Sequence, residues 1–86
     1  MSRKVPEMGA GWYRLRYDLS LRDGAGLNHP RKEHICHAGT PAGMLPAGSV
    51  VEIQEITYLS VSVWGRCPEG WLCMYMSRTA YVQRIL

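Results

Sequence analysis

The chain contains no phenylalanine, no Cys-Xaa-Xaa-Cys pair, no basic run longer than two residues and no long apolar stretch. Each absence removes a class of protein. Without ~18 consecutive apolar residues there is no candidate membrane-spanning helix. The opening Met-Ser-Arg-Lys-Val-Pro-Glu also lacks the apolar centre of a secretory signal. The three cysteines, Cys36, Cys67 and Cys73, are odd in number and cannot close a complete disulfide framework. As written, the sequence predicts a cytoplasmic protein in a reducing compartment, with cell-wall association after lysis or as part of a larger protein as the other route. Ten Lys and Arg against seven Asp and Glu leave a net charge of +3, spread from Arg3 to Arg84. So thin a basic excess suits solubility better than polyanion binding.

What is present is small and aromatic. Eighty-six residues make one domain, and a chain of this size buries only roughly 60% of its unfolded surface. Its aromatics are three Trp and five Tyr, rings whose polar handle suits half-exposed positions. Residues 1–11, rich in Pro and Gly, read as a flexible lead-in, and residues 12–86 as the domain itself.

From Trp12 the pattern is that of strands. Tyr13, Leu15 and Tyr17 alternate with Arg14 and Arg16, the period of a strand with one buried face. Leu19 and Leu21 continue that parity until Asp23-Gly24-Ala25-Gly26 turns the chain. The segment from Leu27 to Gly48 carries Pro30, Pro41 and Pro46 and no sustained period outside His34–His37; it predicts a long excursion with a short strand or hairpin inside it. Val51 and Ile53 then oppose Glu52 and Gln54, and the parity break at Ile56 predicts a bulge or bend near Glu55. Thr57 to Val63 has strand propensity as a loop or a hairpin arm. Trp64-Gly65-Arg66-Cys67 and Gly70-Trp71-Leu72-Cys73-Met74 flank Pro68-Glu69, a hairpin that sets Trp64 and Trp71 on opposite arms. Tyr75 to Arg78 predicts a single helical turn, and Tyr81 to Ile85 a closing strand. The sum is all-β: a small, partly open barrel of five to six strands with a long loop after the second.

Three blocks carry a family resemblance. Leu19-Ser20-Leu21-Arg22-Asp23-Gly24-Ala25-Gly26 resembles the Leu-Asn-Val-Arg-Ser-Gly-Pro-Gly motif of bacterial Src-homology-3-like domains. Leu45-Pro46-Ala47-Gly48-Ser49-Val50-Val51-Glu52-Ile53 is similar to their strand entry, and the Trp64–Cys67 and Gly70–Met74 blocks resemble their Trp-Gly and Gly-Trp ending. The blocks run in family order over residues 12–86. Ser20 and Asp23 depart from the motif, and the loop from Leu27 to Gly43 is longer than the family's. The resemblance implies a non-catalytic targeting barrel that recognises a cell-wall peptide or a protein.

Candidate sites follow. Trp12, Tyr13, Tyr58, Trp64, Trp71 and Tyr75 are the candidates for an aromatic groove that meets a peptide or sugar; the alternative is that these rings merely cover the core. Arg22 is a further ligand candidate, although an ion pair to Asp18 or Asp23 that pins the turn is the preferred role. His29, His34, Cys36 and His37 have zinc-type chemistry without paired ligand spacing, so no metal and no cofactor is expected. Arg14 and Arg16 beside Trp12 and Tyr17 offer a basic, aromatic platform, yet the low net charge makes nucleic acid the lesser partner. Cys67 and Cys73 read as small core residues rather than nucleophiles, so the expected activity is binding, not catalysis. Two alternatives stay open: a small phage or mobile-element protein that inhibits a host protein or nucleoprotein complex, and a subunit that forms a homodimer through a strand edge.

Overall fold

Alternation along Gly11–Leu15 (β1) is realised in full: Tyr13 and Leu15 are buried while Trp12 and Arg14 point to solvent. The computed structural model describes residues 5–86. Eight further strands follow: Leu19–Ser20 (β2), Met44–Leu45 (β3), Val50–Ile53 (β4), Glu55–Tyr58 (β5), Ser62–Cys67 (β6), Gly70–Met76 (β7), Thr79–Ala80 (β8) and Val82–Arg84 (β9). Among the described residues there is no helix, hence none long and apolar enough to cross a membrane. The architecture is all-β, built of open antiparallel sheets ordered β4-β1-β9, β2-β3 and β5-β6-β7-β8.

β1 is the centre of the first sheet, with Tyr13 opposite both Val51 and Arg84. Val51 and Ile53 of β4 bury on the same side, and Val82 of β9 joins them. The parity break at Ile56 is therefore not a bulge within one strand. Between Ile53 and Glu55 the chain leaves the first sheet for the larger one, and the Gln54 amide crosses to the Arg66 carbonyl at 2.8 Å. Tyr81 makes the return corner. Its amide donates to Met74 O and its carbonyl accepts from Arg16 N, both at 2.9 Å.

The hairpin read at Pro68-Glu69 is present, with Cys67 paired to Gly70 across a two-residue turn. Gly70 has φ 149°, and a Cβ there would lie 3.0 Å from the Arg22 carbonyl, so both conformation and space call for glycine. Farther along, Val63 pairs with Tyr75 and Trp64 with Cys73, which leaves Met74 as the extra residue of a β-bulge. Three successive side chains, Leu72, Cys73 and Met74, are buried in consequence.

The helical turn expected at Tyr75–Arg78 is absent. Tyr75 and Met76 continue β7, and Ser77 and Arg78 (φ 50° and 69°) form a two-residue hairpin turn that pairs Met76 with Thr79. Both turn residues take left-handed φ, as a type I′ turn requires. Residues 59–61 are the turn between β5 and β6, closed by Leu59 N to Ser62 O at 2.9 Å.

The long excursion leaves after Ser20 and returns at Met44, where these two residues pair. His34–His37 form no strand within it. Its fixed points are Leu21, fully buried and bonded through its amide to Gly43 O, and the mutual backbone bonds of Arg22 and Trp71 at 2.7 and 2.9 Å. The lead-in is likewise anchored where it is described. Val5 is buried in the core, and Met8 exchanges two hydrogen bonds with the Tyr58 hydroxyl, at 3.0 and 2.6 Å. Residues 1–4 of the expected flexible segment lie outside the described residues.

Candidate functional site

The β6–β7 hairpin buries side chains in two directions. Val63, Cys67, Leu72 and Met74 join the contiguous core with Leu15, Leu21 and Ile53. Trp64 and its cross-strand partner Cys73 are also buried but stand outside that cluster. They lie instead beneath a cavity of about 280 Å³, close to the lower end of small-ligand sites. Trp64 is only 1% exposed, and its indole N–H is satisfied by Ser62 Oγ at 3.0 Å.

The walls come from three places in the chain. Tyr17, where the chain passes from β1 to β2, meets Tyr81 at the return corner edge to face, with ring centroids 5.8 Å apart and planes at 86°. Leu19 and Met44 come from the β2-β3 pair, and Leu27 reaches in from the excursion. Tyr17 is 52% exposed and Leu27 62%, large apolar areas that a chain of this size leaves in water. A second concavity of about 370 Å³ adjoins the first through Leu27 and Trp64, with Leu59, Val61 and Met76 on its other sides. Leu27 and Trp64 line both concavities, which together make up the trough.

Asp18 and Arg22 supply the charge of the first cavity. The expected pairing of Arg22 with Asp18 or Asp23 is not made. Arg22 Nη1 donates to the His29 carbonyl at 2.9 Å, and one Asp18 oxygen accepts the Ala47 amide at 2.8 Å. Burial pushes the Cys73 thiol up to about 11, against the opposing pull of the Tyr75 backbone and the Arg22 charge. Cys67 is pushed up by burial as well, with the Glu69 carboxylate adding to it and backbone amides of the turn opposing. Both are protonated near neutral pH and poor nucleophiles. The one side-chain hydrogen bond a thiol makes among the described residues runs from Cys73 Sγ to Tyr75 O.

Of the residues expected to form the aromatic groove, the cavity brings together Trp64 and Arg22. Tyr13 is 2% exposed, its hydroxyl donating to Gly9 O at 2.7 Å and its ring facing the Arg84 guanidinium at 5.6 Å. Trp12 lies exposed on β1, Tyr58 holds Met8, Trp71 pairs through its backbone with Arg22, and Tyr75 packs on the core. Tyr17, Tyr81, Leu27 and Cys73 were not singled out for the groove. Tyr17 and Tyr81 carried one readable signal, a tyrosine at the outer end of a strand run; Leu27 and Cys73 carried none.

Among the described residues no three His, Cys, Asp or Glu side chains are placed to share a metal ion. His37 Nε2 lies 3.0 Å from Glu69 Oε2, and Lys32 Nζ donates to the Glu69 carbonyl at 3.3 Å, so this part of the excursion is tied to the hairpin tip. Comparison with known proteins brings no relative to the site: no family model, no curated protein and no solved structure matches the chain.

Proposed function

We propose that the chain is a non-catalytic recognition module that binds a peptidic ligand, from the cell wall or from a protein, in the trough over Trp64. The observation that carries this reading is an apolar cavity lined by a buried indole and walled by an edge-to-face tyrosine pair, Tyr17 exposed and Tyr81 half-buried. Rigid aromatic surface of this kind favours binding because little side-chain entropy is lost on contact. Protonated, buried thiols agree with binding rather than covalent chemistry. A barrel of the bacterial Src-homology-3-like kind is the proposed scaffold; the sheet changes at Gln54 and Tyr81 agree with a partly open barrel, and the sequence blocks supply the family.

The test is co-sedimentation with purified cell walls beside titration with short wall-derived and unrelated apolar peptides. The expected result is saturable binding that Tyr17→Ala or Tyr81→Ala weakens at least about tenfold, as truncating an anchor ring does, while Trp12→Ala leaves it intact. Binding that survives both tyrosine substitutions, or no binding to any wall or peptide, sinks the reading.

A further inference from the structure

Within the trough the two charged side chains are unevenly satisfied. Arg22 spends one N–H on the His29 carbonyl, has no other acceptor among the described residues, and lines the cavity. Its backbone is clamped to Trp71 by two hydrogen bonds of 2.7 and 2.9 Å, which launches the side chain from a rigid point. Asp18 lines the same cavity with one oxygen on Ala47 N and the other without a donor among the described residues. The rest of the lining is tyrosine, leucine, methionine, indole and thiol, with Ser20 as its one further polar residue.

Asp18 and Arg22 are four residues apart on the cavity wall, and an extended backbone covers at most about 14 Å in four steps, which limits a ligand between them to about three or four extended residues. The complementary ligand is negative at the Arg22 end, offers a donor at the Asp18 end, and is apolar between. Resting on the reading of the trough as a peptide site, we propose that it captures the carboxy-terminal end of an extended peptide. The α-carboxylate sits on Arg22, the last side chain is apolar and lies against Tyr17, Leu27 and Tyr81, and an upstream backbone N–H meets Asp18. A guanidinium binds a carboxylate in two parallel hydrogen bonds, each roughly twice as strong as a neutral one, whereas a terminal amide offers a single neutral oxygen. Asp18 repels the carboxylate and so fixes the direction in which the peptide lies.

The experiment is a two-dimensional NMR titration of the isotope-labelled chain with acetyl-Ala-Ala-Leu, once with a free carboxylate and once as the carboxamide. The free acid is expected to shift the Trp64 indole N–H and the Tyr17 and Cys73 amides, and to bind at least about tenfold more tightly than the amide. Arg22→Gln, which keeps a donor for His29, removes that preference, and Arg22→Lys retains part of it. Equal affinity of acid and amide at the same resonances, or a preference that persists in well-dispersed Arg22→Gln, overturns the terminal-carboxylate assignment and leaves the peptide site standing. If neither peptide moves the cavity resonances, both fall.

Discussion

The two sides of the β6–β7 hairpin are buried almost equally and do different things. Leu72 and Met74 have no exposed surface and are enclosed by Ile53, Leu15 and Val63. Trp64 is as deeply buried at 1%, yet it stands outside that cluster and lines a cavity. Burial alone does not separate a core side chain from the floor of a site. The difference is what stands beside it: well-packed neighbours in one case, and in the other a cavity walled by Tyr17, Tyr81 and Leu27.

The strongest way to break that comparison is to remove volume from the packed side. Leu72→Ala is expected to lower stability by about 3 kcal/mol in denaturant unfolding, as a transfer loss plus an unrelaxed cavity. Stability changed by less than a third of that would mean the hairpin's core side is looser than its packing indicates. On the cavity side the expected lever is pH. The Cys73 thiol is raised in the folded chain to about 11 from an ordinary 9.0, so the folded state holds a proton that the unfolded state gives up. Stability is then full below pH 9.0 and falls as pH climbs toward 11, by ~2 kcal/mol. Cys73→Ala should flatten this loss to the part due to Cys67 and the other alkaline groups, and an unchanged alkaline slope in that variant would refute the assignment.

Smaller effects test how the trough is framed. Ser77 and Arg78 hold left-handed φ without being glycine or asparagine, and the turn they make carries β8 toward the Tyr81 corner. Ser77→Asn with Arg78→Gly should raise stability by about 1 kcal/mol, since both replacements tolerate that conformation. Thermal unfolding reads the gain; a loss would mean the native side chains do something else there. The smallest change is expected at His37 and Glu69, a hydrogen-bonded pair with 31% and 40% of their side chains in water. Glu69→Gln should cost no more than ~0.5 kcal/mol, while amide exchange in residues 32–37 quickens because the excursion is released from the hairpin tip.

The elements that could be read from residues alone are those where one local rule decides. Tyr13 and Leu15 against Arg14 and Arg16 announced β1, and Val51 and Ile53 announced β4, because a strand with one wet face alternates. Pro68-Glu69 between two aromatic runs announced the hairpin. Where two partners at a distance decide, the residues were silent or misleading. The break at Ile56 looks the same whether a strand bulges or changes sheet, and only the amide of Gln54 reaching Arg66 distinguishes them. Ser77-Arg78 has no turn residue to betray it, so it was read as helical. Tyr13 and Trp64 look alike as half-polar aromatics, and one is packed under Arg84 while the other floors the trough.

By itself, then, the order of the amino acids determined an all-β chain, its first strand and its main hairpin, since each follows from side-chain period or turn chemistry within a few residues. Only the tertiary structure decided that Tyr17 and Tyr81, which are 64 positions apart in the numbering, share a wall. It also decided that Arg22 turns from its neighbouring aspartates to the His29 carbonyl. A cavity exists where distant segments stop short of one another, and that distance is set by how the sheets and the excursion pack.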